Sequence, residues 1–288
     1  MSFRETALLG GIAGFTIYVG LLPFGRMRIL GARQRVALAM FAVGILSFLF
    51  VDVLEHAFGI VEDSVAALHD GEGNLGSAIG LTALLGAGFA IGSAGLATFE
   101  ARLRGPGAPP PPIAGGAVAT ATAEQELNFE AARADATRAR ALRTGMTIAA
   151  AIGVHNFAEG LAIGVSASAG EIGLATVLIV GFAAHNTTEG FGILGPLGGE
   201  RASWSWLLLA GLVAGGPVLL GSMIGYSVDS QPLELVFYAV AGGAILYVIG
   251  EVWNAMRRFG HRELGLWMVS AGFMAGLVTD LIVVYGGG

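Results

Sequence analysis

Two segments of this chain carry side chains suited to metal chemistry: His155-Asn156-Phe157-Ala158-Glu159-Gly160 and His185-Asn186-Thr187-Thr188-Glu189-Gly190. Each places a His and a Glu four residues apart, which on an α-helix puts both on one face, one turn apart. Each also sits within an apolar stretch long enough to cross a bilayer. Burying an imidazole and a carboxylate there is costly unless they meet a partner. A cation shared between the two segments is the simplest such partner. Imidazole nitrogen and carboxylate oxygen suit Zn²⁺, Fe²⁺ or Mn²⁺. Asn156 and Asn186 can add neutral oxygen ligands or orient the carboxylates. The plainer alternative is a set of His–Glu hydrogen bonds joining two helices, but four ionisable groups exceed what helix packing needs.

The composition requires a membrane setting. The 288 residues are 55% hydrophobic and 12% charged, with a mean hydropathy of +0.73, whereas a soluble domain carries about 25% charged residues. The 47 glycines suit close helix approach within lipid. The absence of cysteine excludes disulfides and thiolate metal sites. Every basic residue is an arginine. The first apolar stretch runs into Arg26 and Arg28 with no small-residue cleavage site, and reads as a first span.

Eight apolar runs approach the roughly 20 residues that span a bilayer: about 6–24, 36–59, 75–99, 144–168, 172–195, 204–226, 234–256 and 264–285. The sequence therefore predicts an all-α integral membrane protein with eight transmembrane helices in a 3+5 arrangement. Residues 1–99 carry spans 1–3, 100–143 form a loop, and 144–288 carry spans 4–8. The loop opens on a Pro-rich segment and continues as a polar helix over 123–143. With this count, 14 of the 15 arginines fall on one side, leaving only Arg4 on the other. The positive-inside rule makes the rich side cytoplasmic and places both termini outside. Acids gather on the outer side: Glu62, Asp63, Asp70 and Glu72 after span 2, then Glu171 and Asp229.

Other polar residues in the spans invite roles. Asp52, Glu55 and His56 share a face near the outer end of span 2, and Asp280 lies at similar depth in span 8. Acids at an outer mouth concentrate cations, so these four form a candidate entrance. Glu251, towards the inner end of span 7, is either an exit-side ligand or a partner of Arg257 or Arg258. Gly160, Gly164 and Gly190 thin the helix wall, for close packing or for an ion path. Trp204, Trp206, Trp253 and Trp267 read as interface anchors.

These motifs resemble the ZIP (Zrt/Irt-like) family of divalent metal transporters. His-Asn-Phe-Ala-Glu-Gly-Leu-Ala-Ile-Gly at 155–164 is similar to the family's span-4 motif, and 185–190 to its span-5 motif. The eight spans, outward termini and long loop after span 3 match the family layout. The resemblance implies metal ligation by His155, Asn156, Glu159, His185, Asn186, Glu189 and Glu251, and transport towards the cytoplasm by two rocking bundles. The chain departs from the family pattern in four respects. Ala158 and Thr188 replace the prolines before each motif Glu. Asn186 replaces an acid, Gly215-Gly216-Pro217 stands where span 6 often has a Glu, and the loop lacks a His cluster.

The resulting reading is a multi-pass transporter of the cell (inner or plasma) membrane, and not an enzyme. Its substrate is a divalent cation, zinc first, with iron, manganese or cadmium as further candidates. Its partners are the metal ion and the lipid bilayer, with no nucleic acid; a homodimer is compatible with the sequence. Two alternatives stand beside it: a metal-sensing or structural membrane protein that transports nothing, and a b-type haem protein with His155 and His185 as axial ligands.

Overall fold

The computed structural model describes residues 1–26, 31–103, 123–170, 172–198, 200–227 and 230–285. The positions of Arg28, Arg104, the Pro-rich stretch beyond it, Glu171 and Asp229 lie outside these described residues. Within them the protein is helical throughout, with no strand. The helices are α1 (Phe3–Phe15), α2 (Ile17–Arg26), α3 (Ala32–His69), α4 (Leu75–Ala90), α5 (Leu96–Leu103), α6 (Ala123–Ser168), α7 (Ile172–Leu194), α8 (Trp204–Ser227), α9 (Gln231–Arg257) and α10 (Arg262–Tyr285). They fall at the eight expected spans, α1–α2 forming the first and α4–α5 the third.

Seven of these spans are long and apolar enough to cross a membrane by length and composition. The fifth, α7, has 23 residues, but the run from His185 to Glu189 lowers its hydropathy. The residues that give α7 its chemistry are also those that weaken its membrane signal.

Three boundaries differ from the sequence reading. The first span breaks at Thr16, whose hydroxyl donates to the Ala13 carbonyl at 2.6 Å and to the Ala183 carbonyl of α7 at 2.8 Å. The second is 38 residues long and runs past residue 59 to His69. Glu62 and Asp63 therefore lie on a helix and not in a loop. Nothing between Gly59 and Gly71 favours a stop, and Gly71 (φ 77°) supplies the left-handed turn that ends it. The polar helix expected at 123–143 joins span 4 in one helix of 46 residues, about 69 Å long at 1.5 Å per residue. The third span also contains a single π turn at Ile91–Gly95 between α4 and α5.

In lipid, helices associate through close backbone contact, because their apolar side chains gain little by leaving the bilayer. Here α6 packs most extensively on α8, and α3 on α10 and α9. The α6–α8 crossing is built on glycine. A Cβ on Gly160 would strike the Val218 carbonyl, and one on Gly221 the Phe157 carbonyl. Gly164 and Gly190 likewise face neighbouring backbone, so close packing accounts for all three glycines of the motif segments. Spans 2, 4 and 7 are central and span 8 peripheral: 72% of the apolar window of span 4 is buried, against 17% for span 8.

Candidate metal centre

His155 and Glu159 sit on consecutive turns of α6, and His185 and Glu189 on consecutive turns of α7. Successive helices run in opposite directions, so the two segments meet at one depth. His155 Nε2 lies 2.9 Å from Glu159 Oε1, and His185 Nε2 lies 2.5 Å from the same oxygen. Glu189 Oε1 stands 3.9 Å from His155 Nε2. One ligand atom from each of His155, Glu159 and His185 can be chosen so that all lie within 4.8 Å of one another. Donors about 2.0–2.1 Å from a tetrahedral ion sit roughly 3.3 Å apart. The observed separations straddle that value, so small side-chain movements would seat an ion.

All four groups are buried, none more than 7% exposed. Their hydrogen bonding is incomplete: His155 Nδ1, Glu159 Oε2 and both carboxylate oxygens of Glu189 have no partner. Buried polar atoms are almost always satisfied, and leaving one unpaired costs roughly 1–3 kcal/mol. So many unpaired acceptors in one place are what a cation site requires.

The two asparagines each make one bond that anchors their helix. Asn156 Nδ2 donates to the Ala214 carbonyl of α8 at 3.1 Å, and Asn186 Nδ2 to the Ala13 carbonyl of α1 at 3.2 Å. Both accepting carbonyls lie in the turn before a residue that disturbs the helix's own hydrogen bonding. Pro217 in α8 has no N–H to offer the preceding turn, and α1 breaks at Thr16. Thr187 adds to the second anchor by donating to the Thr16 carbonyl at 3.4 Å. Both Asn Oδ1 atoms are buried and unpaired. The amide nitrogens thus hold α6 and α7 in register while the oxygens remain available.

A cavity of about 480 Å³ runs from this cluster to the acid-rich end of the molecule. His155, Glu159 and His185 line its floor, and Asp52, Glu55, His56 and Asp280 line its wall. All four expected entrance residues therefore share one cavity with the cluster. The sequence reading missed Glu234 and Tyr238, which join them from α9. Their i, i+4 spacing was the available signal, hidden because Glu234 falls in the first turn of its helix. His56 Nδ1 pairs with the Asp52 backbone carbonyl at 2.9 Å, and its ring packs on Tyr238 with centroids 5.6 Å apart.

Inward of the cluster the helices close. Leu46, Ile152, Ile193 and Val248 are each at most 1% exposed and belong to one continuous apolar core. Glu251 lies on the far side of this core. It is half-buried on α9 and lines neither the cavity nor the cluster. A second buried acid at that end, Glu100 of α5, was not expected. It is 4% exposed and accepts from the Tyr247 hydroxyl at 3.1 Å. Its place at the end of span 3, two residues before Arg102, carries no sequence signal of burial.

The haem alternative does not fit this arrangement. Glu159 Oε1 stands between the two imidazoles, where a porphyrin would have to pass.

Comparison with known proteins agrees with the site. Residues 116–249 match the family model described as ZIP Zinc transporter. This match runs from before α6 to Ile249 on α9 and contains both His-Asn-x-x-Glu-Gly segments. Over 161 residues the chain is 29% identical to the zinc transporter ZupT of Clostridium perfringens (strain 13 / Type A). That similarity covers 53% of this chain and 55% of the relative, so the chain spans about half the length of the curated relative it matches. Over residues 116–249, which hold both motif segments, the chain is similar to the ZIP zinc transporter family, and its likeness to the bacterial relative is that of a distant one.

Proposed function

We propose that this protein carries a divalent metal cation, zinc first, across the cell (inner or plasma) membrane towards the cytoplasm. The observation that carries the reading is the buried meeting of two imidazoles and two carboxylates from adjacent helices, with several of their atoms unpaired. His155, Glu159, His185 and Glu189 hold the ion as substrate, and the Oδ1 atoms of Asn156 and Asn186 are the neutral donors beside them. Zinc suits this set of nitrogen and oxygen donors. Iron, manganese and cadmium are the competitors to test.

The arginine-rich ends of the helices face the cytoplasm, which puts both termini and the cavity mouth outside. Asp52, Glu55, Glu234 and Asp280 draw cations into the cavity. The ion exchanges its water shell for the cluster. It leaves when the apolar core around Leu46, Ile152, Ile193 and Val248 parts and the cavity closes behind it. Glu251 then receives it on the exit side. Spans 1–3 and 4–8 are the two groups joined by residues 100–143. Because α6 continues into that joining segment, movement of the metal-binding turn is shared with it.

The test is zinc uptake by proteoliposomes loaded with a fluorescent chelator, comparing the intact chain with Glu159→Ala and His185→Ala. Uptake by the intact chain that both variants lose is the expected result. Equal uptake by all three removes the site assignment. Binding without flux in the intact chain supports a non-transporting metal sensor.

A further inference from the structure

A second cavity, of about 450 Å³, lies at the arginine-rich end between the start of α3, the end of α9 and the start of α10. Its two linings differ. Val36 and Met40 of α3 and Met256 of α9 form an apolar floor, each at most 4% exposed. Arg257, His261 and Arg262 form the rim. The left-handed residues Gly260 (φ 71°) and His261 (φ 57°) turn the chain between α9 and α10, which brings Arg257 and Arg262 to one opening. Among the described residues neither arginine has an ion-pair partner. The nearest acids on the same helices, Glu251 and Glu263, do not line the cavity. Trp253 lies in its wall, and Trp267, 75% exposed, stands one turn further along α10. Such tryptophans mark the depth of lipid headgroups.

We propose that this groove binds one anionic phospholipid, its phosphate held by Arg257 and Arg262 and its upper acyl carbons resting on Val36, Met40 and Met256. Charge complementarity names the occupant. The chain as a whole is acidic, with a formal net charge of −6, yet this opening has two unpaired guanidinium groups and no carboxylate. Basic pockets between membrane helices on the cytoplasmic side suit such headgroups, and a guanidinium pairs with phosphate in bidentate fashion. A purely aqueous anion site would have no use for the apolar floor. On the orientation proposed above, the lipid comes from the cytoplasmic leaflet. It would tie α9 and α10 to α3, the helix that supplies Asp52 and Glu55 to the metal cavity.

Native mass spectrometry of the full chain, delipidated in mild detergent and offered equal phosphatidylglycerol and phosphatidylcholine, tests this. Phosphatidylglycerol should be retained at least tenfold more strongly. Each Arg removed should weaken that retention about fivefold, so an Arg257→Gln/Arg262→Gln double variant should lose the preference. Phosphatidylcholine binding should not change. Arg257→Lys/Arg262→Lys should keep most of the preference, which separates loss of charge from misfolding. Arg133→Gln/Arg140→Gln, on the exposed face of α6, should leave it intact. Unchanged retention in the Gln pair at 257 and 262, or an equal loss in the α6 pair, overturns the proposal. So does displacement of the lipid by millimolar inorganic phosphate, which would make this a free-anion site. None of these readings depends on metal transport.

Discussion

Glu159 and Glu189 belong to one cluster, yet their surroundings predict opposite responses to the same substitution. Glu159 Oε1 meets both imidazoles, at 2.9 and 2.5 Å. Neither oxygen of Glu189 has a hydrogen-bond partner, and its side chain is 1% exposed. Without metal, Glu189 is therefore a cost to the fold. Glu189→Gln removes the demand for a countercharge while keeping the shape, and relieving one such buried group is worth about 2 kcal/mol. At roughly 2–4 °C per kcal/mol for a chain of this order of size, the variant should melt about 4–8 °C higher in chelator. Glu159→Gln weakens two charge-assisted contacts and should melt lower, since such bonds contribute about 1.5–3 kcal/mol each. Excess zinc should lift the intact chain above both variants. At a hundredfold excess over its dissociation constant, a ligand stabilises the native state by about 2.7 kcal/mol, and both variants should lose most of that protection. Intrinsic fluorescence melting of the purified chain, with chelator and with zinc, reads all of this. A Glu189→Gln variant that melts no higher than the intact chain in chelator, and is still fully protected by zinc, would refute the reasoning.

Three further outcomes follow from the same geometry. Asn156→Ala removes the side-chain bond to the Ala214 carbonyl and should lower stability by about 1–3 kcal/mol, read as a lower melting temperature with or without zinc. Gly160→Val drives a side chain into the Val218 carbonyl across the α6–α8 crossing and should prevent a monodisperse preparation on size exclusion. Neutralising Asp52, Glu55, Glu234 and Asp280 together as amides should slow zinc uptake about tenfold at low salt while changing its equilibrium affinity little, because steering acts on the encounter rate. Added salt should shrink the difference from the intact chain.

The positions of the eight spans and the meeting of the two His-Asn-x-x-Glu-Gly segments could be read from the sequence. Hydropathy and arginine placement follow from the cost of charge in lipid, and i, i+4 spacing from helix geometry alone. The break at Thr16 could not be read in this way. The break falls at Thr16, whose hydroxyl bonds to the Ala183 carbonyl of α7, a partner far away in the chain. The asparagines present the same difficulty. Their type allowed ligation or orientation, and only the packing of α1 and α8 shows that their amide nitrogens are already engaged. Glu234 and Tyr238 escaped notice because a first-turn acid usually serves its own helix terminus, whereas here both residues face a cavity that four other helices complete. The continuity of α6 was obscured by the change from polar to apolar residues near 143, which marks entry into the bilayer and not the end of a helix.

X-ray absorption at the zinc edge of the loaded, purified protein tests the central claim most directly. The account predicts nitrogen and oxygen donors at about 2.0–2.1 Å, with outer-shell scattering from two imidazoles that falls to one in His185→Ala. A zinc shell of oxygens alone, unchanged by that substitution, would contradict it.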